Sequence, residues 1–596
     1  MTAGTRTFSF EETLLQTPAL TPPLKRHLLF VCLLTLAALL HIGTIGRGDL
    51  YGETEGQYAG AAREMIQAHQ WLTPTNDGIP RLQKPPLLYW LIIVSFKIFG
   101  VNAAAARLPI ALAIVASVAL TFLIGERLVD YRHGFLAGLI YLCFWGMFLL
   151  GRMIMPEAVF AAFVTGAVFC GICGYQQRAW RKTFFLGAWV CVALACLTKG
   201  IHGLIYPAVV FLLLSIFYRE ARIRFRGLLH WPYLLVFLAI VLPWHIWAEL
   251  RFPGFLRFLL GYEWLGHVNG QSLIVDQEPG VPRLQFFALH LAWWFPVSLA
   301  ILPGIIFAWR QVIRHRQIEF NDALPLSWIA IVFFPLLLLG ERQDYYSFSM
   351  WSAFAMFAAS AWMRIPQRLH FFGIALIAIA GAMMAAVALL LPQIVGGAAN
   401  DWKELSERST AWQTFSSIPG ATWLRFRPVI GSVAVLIMIG AAMAFYFAAR
   451  DRSRLALVAL LASMVPLGLS SIDGVARVAP YFSLASAASY INPRLGRTGD
   501  VYYEGSLHAG SSLVFYLKRR FYLVNRTPEP FAQKLGANAV YAGEESVLNR
   551  WSGTEPIFLI IEQKRVPHWE RLITQRIHIF HQVMTCGTYV VLTNQL

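Results

Sequence analysis

Residues able to do acid, base or phosphate chemistry gather at a few points where long apolar runs of this sequence end. The densest group holds two carboxylates close together, in the order Glu53-Thr54-Glu55-Gly56-Gln57-Tyr58. A carboxylate within reach of a hydroxyl can take its proton as the hydroxyl attacks, so either acid is a candidate general base. Residues 59–68 predict a helix, with Thr54 and Gln57 as its capping box and Glu55 in its first turn. That structural interpretation explains Glu55 but not Glu53.

A second group places a lysine directly before two prolines, in the order Arg81-Leu82-Gln83-Lys84-Pro85-Pro86. A cation beside the membrane can serve as an interfacial anchor. It can equally hold a phosphate at the depth of the lipid headgroups. The local sequence leaves both interpretations of Lys84 open.

Further polar residues stand at the ends of other apolar runs. Any one of them could be a solvated loop residue, but ionisable groups close to hydrocarbon are costly and usually have a task. Together they would supply the acids and cations that transfer from a lipid-phosphate carrier needs. They are Arg152, Glu157, Lys199, Glu263, His267, Arg342, Tyr345 and Tyr346.

The surrounding chain is strongly apolar. It has 596 residues, of which 57% are hydrophobic and 14% charged. Its recurring apolar runs have the length of about 20 residues that crosses a bilayer. The net charge is +17, but the basic residues cluster in short loops, which is typical of topology signals rather than of nucleic-acid binding. All cysteines but Cys586 lie inside apolar runs, so helix packing is favoured over a disulfide framework.

The apolar runs predict an all-α membrane bundle of about 13 transmembrane helices. Residues 87–99 are also apolar but short, and they are interpreted as interfacial or re-entrant. The expected spans lie near 27–46, 104–125, 134–150, 154–174, 183–198, 201–217, 230–248, 286–308, 324–340, 345–363, 371–391, 428–448 and 455–472.

The loop charges give these spans an orientation. Every second connection carries several arginines, which places those loops and the N-terminus in the cytoplasm. The expected domains are a cytoplasmic segment 1–26, a membrane domain 27–472 with outer loops 47–103, 249–285 and 392–427, and an outer domain 473–596. In that last part, residues 499–503, 521–525, 557–562 and 589–592 predict strands, and 512–518 and 568–576 predict helices. A small α/β domain outside the bilayer is therefore expected.

The order of these motifs resembles the GT-C membrane glycosyltransferases, in particular the aminoarabinose lipid A transferase and protein O-mannosyltransferase group. The resemblance covers roughly residues 27–365, and the later architecture also looks similar. The residues that carry it are Glu53-Thr54-Glu55, Gln57-Tyr58-Ala59, Arg63-Glu64-Met65, Gln83-Lys84-Pro85, Tyr89-Trp90, Met155-Pro156-Glu157, Leu197-Thr198-Lys199-Gly200, Pro243-Trp244, Glu263 and His267.

The resemblance implies an inverting transfer of a sugar from a polyprenyl (undecaprenyl) phosphate carrier to a lipid, glycan or protein acceptor. Lys84 and Arg342 would bind the donor phosphate, and the acidic pair would contain the base. Relatives often read Asp-Glu in this loop. Aligned on Tyr58, this chain has Thr54 at the Asp position and Glu55 at the Glu position. Either Glu55 is the base, or Glu53 reaches in from one residue earlier.

The resemblance assigns supporting roles to the other polar residues. Glu157 would lie near the sugar, while Lys199, Tyr58, Tyr345 and Tyr346 would line the donor pocket. In relatives a divalent metal can sit between a loop histidine and an acid before the loop lysine. Here Gln83 takes the place of that acid, so the candidate metal ligands are His267 and Glu263.

Two other functions compete with the enzyme. A flippase for polyprenyl-linked sugars would show internal repeats and charges in mid-span, whereas this sequence has no visible repeat and its charges lie at span ends. A scaffold with a terminal binding domain would need no shared site for the acids. The enzyme is expected as a monomer in a bacterial inner membrane, with its site and its terminal domain on the periplasmic side.

Overall fold

The computed structural model describes residues 22–261, 281–304, 318–339, 342–397, 418–528, 540–577 and 579–595. Helices make up the chain as far as Val478, and a mixed sheet with flanking helices follows. The bundle helices in chain order are α1 Pro22–His41, α2 Gln57–Gln67, α3 Leu87–Phe99, α4 Ala103–Leu128, α5 Tyr131–Cys143, α6 Trp145–Leu149, α7 Pro156–Gln176, α8 Arg181–Lys199, α9 His202–Phe217, α10 Arg219–Phe225, α11 Trp231–Arg251, α12 Phe255–Phe258, α13 Arg283–Trp293, α14 Val297–Gly304, α15 Phe320–Leu338, α16 Trp351–Arg364, α17 Gln367–Gly397, α18 Gly420–Leu424, α19 Arg427–Ala449, α20 Ser453–Ala462 and α21 Met464–Val478.

Within the described residues, each predicted span overlaps helix, but not every helix is a full span. Within the described ranges, nine helical segments are long and apolar enough to cross a membrane, and two bent pairs raise that number to eleven. The pair α5–α6 bends by 58° and the pair α13–α14 by 106°. Helices α9 and α16 have 16 and 14 residues, fewer than the roughly 20 that a straight span needs. The multi-span bundle is confirmed, whereas the count of about 13 is not.

Small side chains allow the bundle helices to approach closely. A Cβ atom on Gly166 of α7 would lie 3.1 Å from the sulfur of Cys191 on α8, and one on Gly187 would lie 3.2 Å from the sulfur of Cys170. Every cysteine in the described part of the chain is a free thiol. The interpretation of these cysteines as small packing residues is therefore confirmed.

The connection from α1 to α3, residues 42–86, is called the first loop. It contains a π-helical turn, Gly52–Gly56, which runs directly into α2. A hairpin of β1 Thr75–Asn76 and β2 Ile79–Pro80 follows. The predicted capping box is wrong, because Gly56 occupies the N-cap of α2 and no side chain caps that end. The π turn continues the helical hydrogen bonding past the point where a cap would act.

The C-terminal part, from α22 to β8, is called the sheet domain. Its elements are α22 Ala485–Ile491, β3 Asp500–Glu504, α23 Ser511–Tyr516, β4 Tyr522–Val524, β5 Tyr541–Ala542, α24 Glu544–Trp551, β6 Ile557–Glu562, α25 Val566–Arg576, β7 His581–Cys586 and β8 Tyr589–Thr593. The strand order is β5-β4-β3-β6-β8-β7. The pairings from β5 through β6 are parallel, and the pairings of β6 with β8 and of β8 with β7 are antiparallel.

The sheet of this domain is covered on both faces. One face packs against α22 and α23, and the other against α24 and α25. Side chains of β3 alternate between the two cores, with Tyr503 in the first and Tyr502 in the second. Ile79 from the first-loop hairpin joins the first core. The predicted α/β domain is confirmed, including the strands near 500, 522, 557 and 589, and it packs directly on the first loop.

Candidate active site

Both candidate carboxylates lie in the π turn of the first loop. The amide of Gly56 donates to the carbonyl of Tyr51 at 2.8 Å and closes this turn. The side chain of Gln57 donates to the backbone oxygen of Glu53 at 2.6 Å, which ties the turn to α2. Such turns are uncommon and occur frequently at functional sites. The turn aims Glu53 and Glu55 at different surroundings.

Glu55 is buried and paired with an arginine of α4. Arg107 donates to both carboxylate oxygens of Glu55, from Nε at 2.7 Å and from Nη2 at 2.6 Å. The two side chains are only 2% and 1% exposed. The amide of Tyr51 also donates to Glu55 at 3.2 Å. A bidentate pair of this kind is a strong, geometrically specific contact, so Glu55 has a structural task.

The same arginine organises the first loop beyond Glu55. Its remaining donors reach backbone carbonyls of residues 45, 47, 48 and 49 at 2.9 to 3.2 Å. Arg152 donates to the carbonyls of Thr44 and Arg47 from another side. The sequence reasoning missed Arg107, although an arginine inside an apolar run is the signal that could have revealed it.

Glu53 lies on the wall of a cavity between the bundle and the sheet domain. Its side chain is half-buried, and it lines a cavity of about 580 Å³ together with Thr54 and with the nearly fully buried Glu55. Helices α17, α19 and α21 supply mostly apolar wall residues, among them Met384 and Val433. The β7–β8 hairpin closes another side with Tyr589. The volume falls in the usual range for small-molecule sites.

The predicted cations and phenols form a second group. The ammonium of Lys199, at the end of α8, lies 2.9 Å from the carboxylate of Glu157 at the start of α7. It also lies 4.2 Å from the ring centre of Tyr346, a cation–π contact. The other carboxylate oxygen of Glu157 is buried and has no hydrogen-bond partner among the described residues. Three of the predicted site residues therefore meet in one contact.

Lys84, Tyr58 and Tyr345 belong to the same neighbourhood. Lys84 acts electrostatically on Lys199, and Tyr345 interacts with Glu157 and Tyr58. Such couplings place these groups within about 10 Å of one another, the distance over which salt screens exposed charges. Tyr58 thus connects this group to the π turn that carries Glu53.

Two neighbours hold Tyr58 in place. The guanidinium of Arg81 lies 4.7 Å from the centre of the Tyr58 ring, and the ring of Tyr89 on α3 is 5.5 Å away. An arginine over one aromatic face and a ring beside it fix the phenol with little freedom. The motif around Lys84 therefore packs directly on the motif around Glu53.

The turn that carries Tyr345 and Tyr346 is a 3-10 helix, Asp344–Met350. The indole of Trp293 on α13 donates to the carboxylate of Asp344 at 2.6 Å. Burial raises the pKa of Asp344, and this hydrogen bond acts against that effect. The contact holds the start of the tyrosine turn against the bundle.

The described hydrogen bonds of Arg342 go to backbone carbonyls and not to the group around Lys199. Arg342 is buried, and it donates to the carbonyls of Leu336 and Val281 at 2.9 and 2.8 Å, and to that of Leu339. The bonds to Leu336 and Leu339 satisfy carbonyls at the C-terminal end of α15. The phosphate-binding role of Arg342 stays a prediction.

The candidate metal ligands Glu263 and His267 lie outside the described residues. In the part of the chain that the structure describes, no group of three or more histidine, cysteine, aspartate or glutamate side chains could hold a metal ion. A metal requirement stays a prediction.

Comparisons with known proteins agree with this architecture. The family model described as dolichyl-phosphate-mannose-protein mannosyltransferase matches residues 83–247. An uncharacterized protein of Aquifex aeolicus (strain VF5) is 28% identical over 342 residues, which cover 55% of this chain and 63% of that protein. The Photorhabdus laumondii protein named undecaprenyl phosphate-alpha-4-amino-4-deoxy-L-arabinose arabinosyl transferase is 27% identical, over 48% of this chain and 50% of its own. The chain thus spans less than two thirds of the length of either relative.

A solved structure is similar over nearly the whole chain. The crystal structure of ArnT from Cupriavidus metallidurans bound to undecaprenyl phosphate has a TM-score of 0.78 at 20% identity, covering 95% of this chain and 98% of that one. This chain therefore has the fold of a GT-C membrane glycosyltransferase. Its resemblance to the aminoarabinose transferase type is confirmed, and the flippase alternative is not favoured.

Proposed function

We propose that this protein is an inverting glycosyltransferase that moves a sugar from a polyprenyl phosphate carrier to a lipid acceptor. Undecaprenyl phosphate is the proposed carrier, because it appears in the name of the Photorhabdus relative and in the description of the ArnT structure. The sugar to test first is 4-amino-4-deoxy-L-arabinose, which that relative's name contains.

The observation that carries this proposal is the arrangement of two unlike groups around Tyr58. One group holds the carboxylate of Glu53, which lines an apolar cavity. The other group holds Lys84 and Lys199 with the phenol of Tyr345, which interacts with Tyr58. An inverting displacement needs a base on the acceptor side of the anomeric carbon and cations beside the leaving phosphate on the opposite side.

The proposed step is a direct displacement at the anomeric carbon. Glu53 takes the proton from an acceptor hydroxyl or phosphate as the acceptor oxygen forms a bond to the anomeric carbon. The bond from the carbon to the carrier phosphate breaks, and its electron pair stays with the phosphate. Lys84 and Lys199 stabilise the negative charge of that leaving group.

We assign the base to Glu53 because of what surrounds the two acids. Glu55 binds Arg107 with both oxygens inside the protein, and its protonation would leave a buried arginine without its counter-ion. Such a loss costs about 3–5 kcal/mol. Glu53 lies at the cavity wall, where an acceptor can reach it.

Lys199 has a second charge relation that matters for the donor. Its ammonium is held by Glu157, so a phosphate must share it with that carboxylate. We propose that Glu157 fixes the ammonium in place and that its other oxygen, which has no hydrogen-bond partner among the described residues, accepts a hydroxyl or ammonium group of the sugar. A buried oxygen of this kind gains about 1–3 kcal/mol when a donor satisfies it.

The lining of the cavity supports a lipid acceptor over a soluble glycan or a protein. Residues such as Trp423, Phe426 and Ile430 present apolar surface to it. An apolar chain gains about 0.8 kcal/mol for each methylene it buries, whereas a glycan gains little on such a wall. Lipid A is the acceptor to test first.

The sidedness of the reaction rests on the loop charges. The arginine-rich loops favour a cytoplasmic location for the opposite end of the bundle, which puts Glu53 and the sheet domain on the periplasmic side of a bacterial inner membrane. A monomer suffices for this arrangement, since every group named above comes from one chain.

The test uses the purified full-length protein in nanodiscs with undecaprenyl phosphate-linked 4-amino-4-deoxy-L-arabinose and lipid A. Mass spectrometry should detect the glycosylated lipid and free undecaprenyl phosphate in equal amounts. The Glu53→Gln variant should form neither. Release of the carrier without transfer would contradict the lipid acceptor, and the absence of both products with every polyprenyl-phosphate sugar tested would contradict the enzyme.

A further inference from the structure

The sheet domain makes a backbone-close contact with the segment that carries Glu53. Three glycines spaced by four residues, Gly52, Gly56 and Gly60, face α23 and the residues before it. A Cβ atom on Gly52 would lie 2.2 Å from the carbonyl oxygen of Ala509, and one on Gly56 would lie 2.5 Å from the amide nitrogen of Ser512. Only glycine lets the two backbones approach this closely, so the contact fixes their separation.

Hydrogen bonds cross the same contact just before Glu53 in the chain. The hydroxyl of Ser511 donates to the carbonyl of Gly52, and the amide of Gly52 donates to the carbonyl of Phe482 at 2.9 Å. Just before the turn, the amide of Leu50 donates to the phenol oxygen of Tyr516 at 2.9 Å. The backbone around Glu53 is thus bonded to a part of the chain more than four hundred residues away in sequence.

Arg63 on α2 contacts the other end of α23. Its Nη1 donates to the carbonyls of Val514 and Phe515 at 3.0 and 2.7 Å, and also to that of Leu517. These are the carbonyls that the C-terminal end of a helix leaves without intrahelical partners. The arginine therefore clamps α23 against α2, and through α2 against the π turn.

We infer that the sheet domain positions the general base: α23 and the Arg63 clamp hold the π turn so that Glu53 meets the acceptor oxygen. This inference rests on the proposed function. Ser511 bonds the backbone just before Glu53, and Arg63 bonds the end of α23. Neither touches the reacting atoms, so both are positioning residues. Neither the composition nor the motifs of the sheet domain point to a ligand of its own, whereas this contact gives the domain a defined task.

The consequence is a selective loss of turnover when the contact loosens. Displacing a catalytic group by about 1 Å can cost about a hundredfold in rate while binding elsewhere persists. The donor contacts of Lys84 and Lys199 lie on other elements, α8 and the segment before α3. A loosened π turn should therefore lower kcat far more than it raises the KM for the donor.

The experiment compares Ser511→Ala, Arg63→Ala and Arg63→Lys in the full-length protein in nanodiscs. The matched control is Arg576→Ala, which removes an arginine whose partner, Glu545, is on the surface of the sheet domain. We expect kcat to fall about tenfold to a hundredfold in Arg63→Ala, with the donor KM within twofold, and Arg63→Lys to recover part of it. Ser511→Ala should fall about tenfold, and the control should match the wild type.

A second readout does not depend on activity. Hydrogen–deuterium exchange of residues 50–66 should become faster in Arg63→Ala and Ser511→Ala, and stay unchanged in Arg576→Ala. If the wild-type protein shows no transferase activity while the variants show this exchange pattern, the proposed function is refuted, and with it the role of the contact in catalysis. The structural contact between Arg63 and α23 would still stand. Unchanged exchange and unchanged kcat in both variants would overturn the inference. So would an equal loss of kcat and donor affinity with uniformly faster exchange.

Discussion

The sharpest prediction separates the two acids of the π turn by what their loss does. Glu53→Gln should abolish turnover and leave the fold intact, whereas Glu55→Gln should weaken the fold itself. Both residues line the cavity, but Glu55 is only 1% exposed and is paired with Arg107, whereas Glu53 is half-buried. Glutamine keeps the size of the side chain and removes only the charge.

The magnitude for Glu55 follows from the burial of its ion pair. Both partners are at most 2% exposed, so solvent does not screen their attraction. Removing one partner of such a pair costs about 3–5 kcal/mol. Arg107 keeps its bonds to four backbone carbonyls in Glu55→Gln, so we expect a value near the lower end, about 3 kcal/mol.

The magnitude for Glu53 is kinetic. General base catalysis contributes about a hundredfold to ten-thousandfold, and kcat should fall by that factor in Glu53→Gln. A substitution at a cavity wall away from buried ion pairs usually changes stability by less than about 0.5 kcal/mol. Glu53→Asp, which keeps the charge on a shorter chain, should retain more activity than Glu53→Gln.

The assay measures kcat and the thermal midpoint of each variant side by side. The double variant Glu55→Gln/Arg107→Met provides the control, because replacing both members of a buried pair is often nearly neutral. It should recover stability that Glu55→Gln lacks. Full activity in Glu53→Gln, together with a stable but inactive Glu55→Gln, would show that the base assignment is reversed.

Substitutions at three further positions test the donor contact, the apolar cavity and a buried acid of the first loop. Lys84→Ala should weaken donor binding by about 2 kcal/mol, whereas Lys84→Arg should retain most of the donor affinity. Equal donor affinity in the two variants would contradict the phosphate-binding role of Lys84. Val433→Trp should narrow the apolar cavity and raise the KM for the lipid acceptor about tenfold with the donor KM unchanged; an unchanged acceptor KM would place the acceptor elsewhere. Burial raises the pKa of Asp77 well above its ordinary value, and the nearby Glu64 acts in the same direction. The folded protein therefore holds that proton more tightly than the unfolded chain, so this stability is present at low pH and is lost as pH rises through the raised pKa. Asp77→Asn cannot ionise, so it should raise the thermal midpoint at about pH 8 but not at about pH 4, and an equal gain at both would contradict the reasoning.

The sequence predicted the sheet domain closely because its strands are short apolar runs between turn residues. Residues 557–562 were predicted as a strand and form β6 with the same bounds. β7 was missed because its inward and outward residues do not alternate cleanly, and a register shift between Gln582 and Met584 interrupts its pairing. Pairing with β8, which no local pattern reveals, makes it a strand.

The bundle was predictable in position but not in span count. Apolar runs locate helices, yet they do not tell whether two neighbouring helices, such as α13 and α14, which meet at 106°, form one span. The same limit applies to the site. Glu53, Lys199 and Glu157 were selected from their places at the ends of apolar runs, whereas the partner of Glu55 could not be chosen, because Arg107 lies far along the chain.

The π turn offers a physical reason for the unusual spacing of the acids. A π turn contains one residue more than an α-helical turn, so it changes which residues share a direction. Glu55 is held by Arg107, and the second carboxylate on the cavity wall comes from Glu53 rather than from position 54, where relatives carry an aspartate and this chain has threonine. Thr54 also lines the cavity, and its buried hydroxyl has no hydrogen-bond partner among the described residues. This turn is held by Arg107 of the bundle through the Glu55 carboxylate and by α23 of the sheet domain through the Gly52 carbonyl. Two independent supports on one short turn make sense if the direction of a single carboxylate decides whether the protein works.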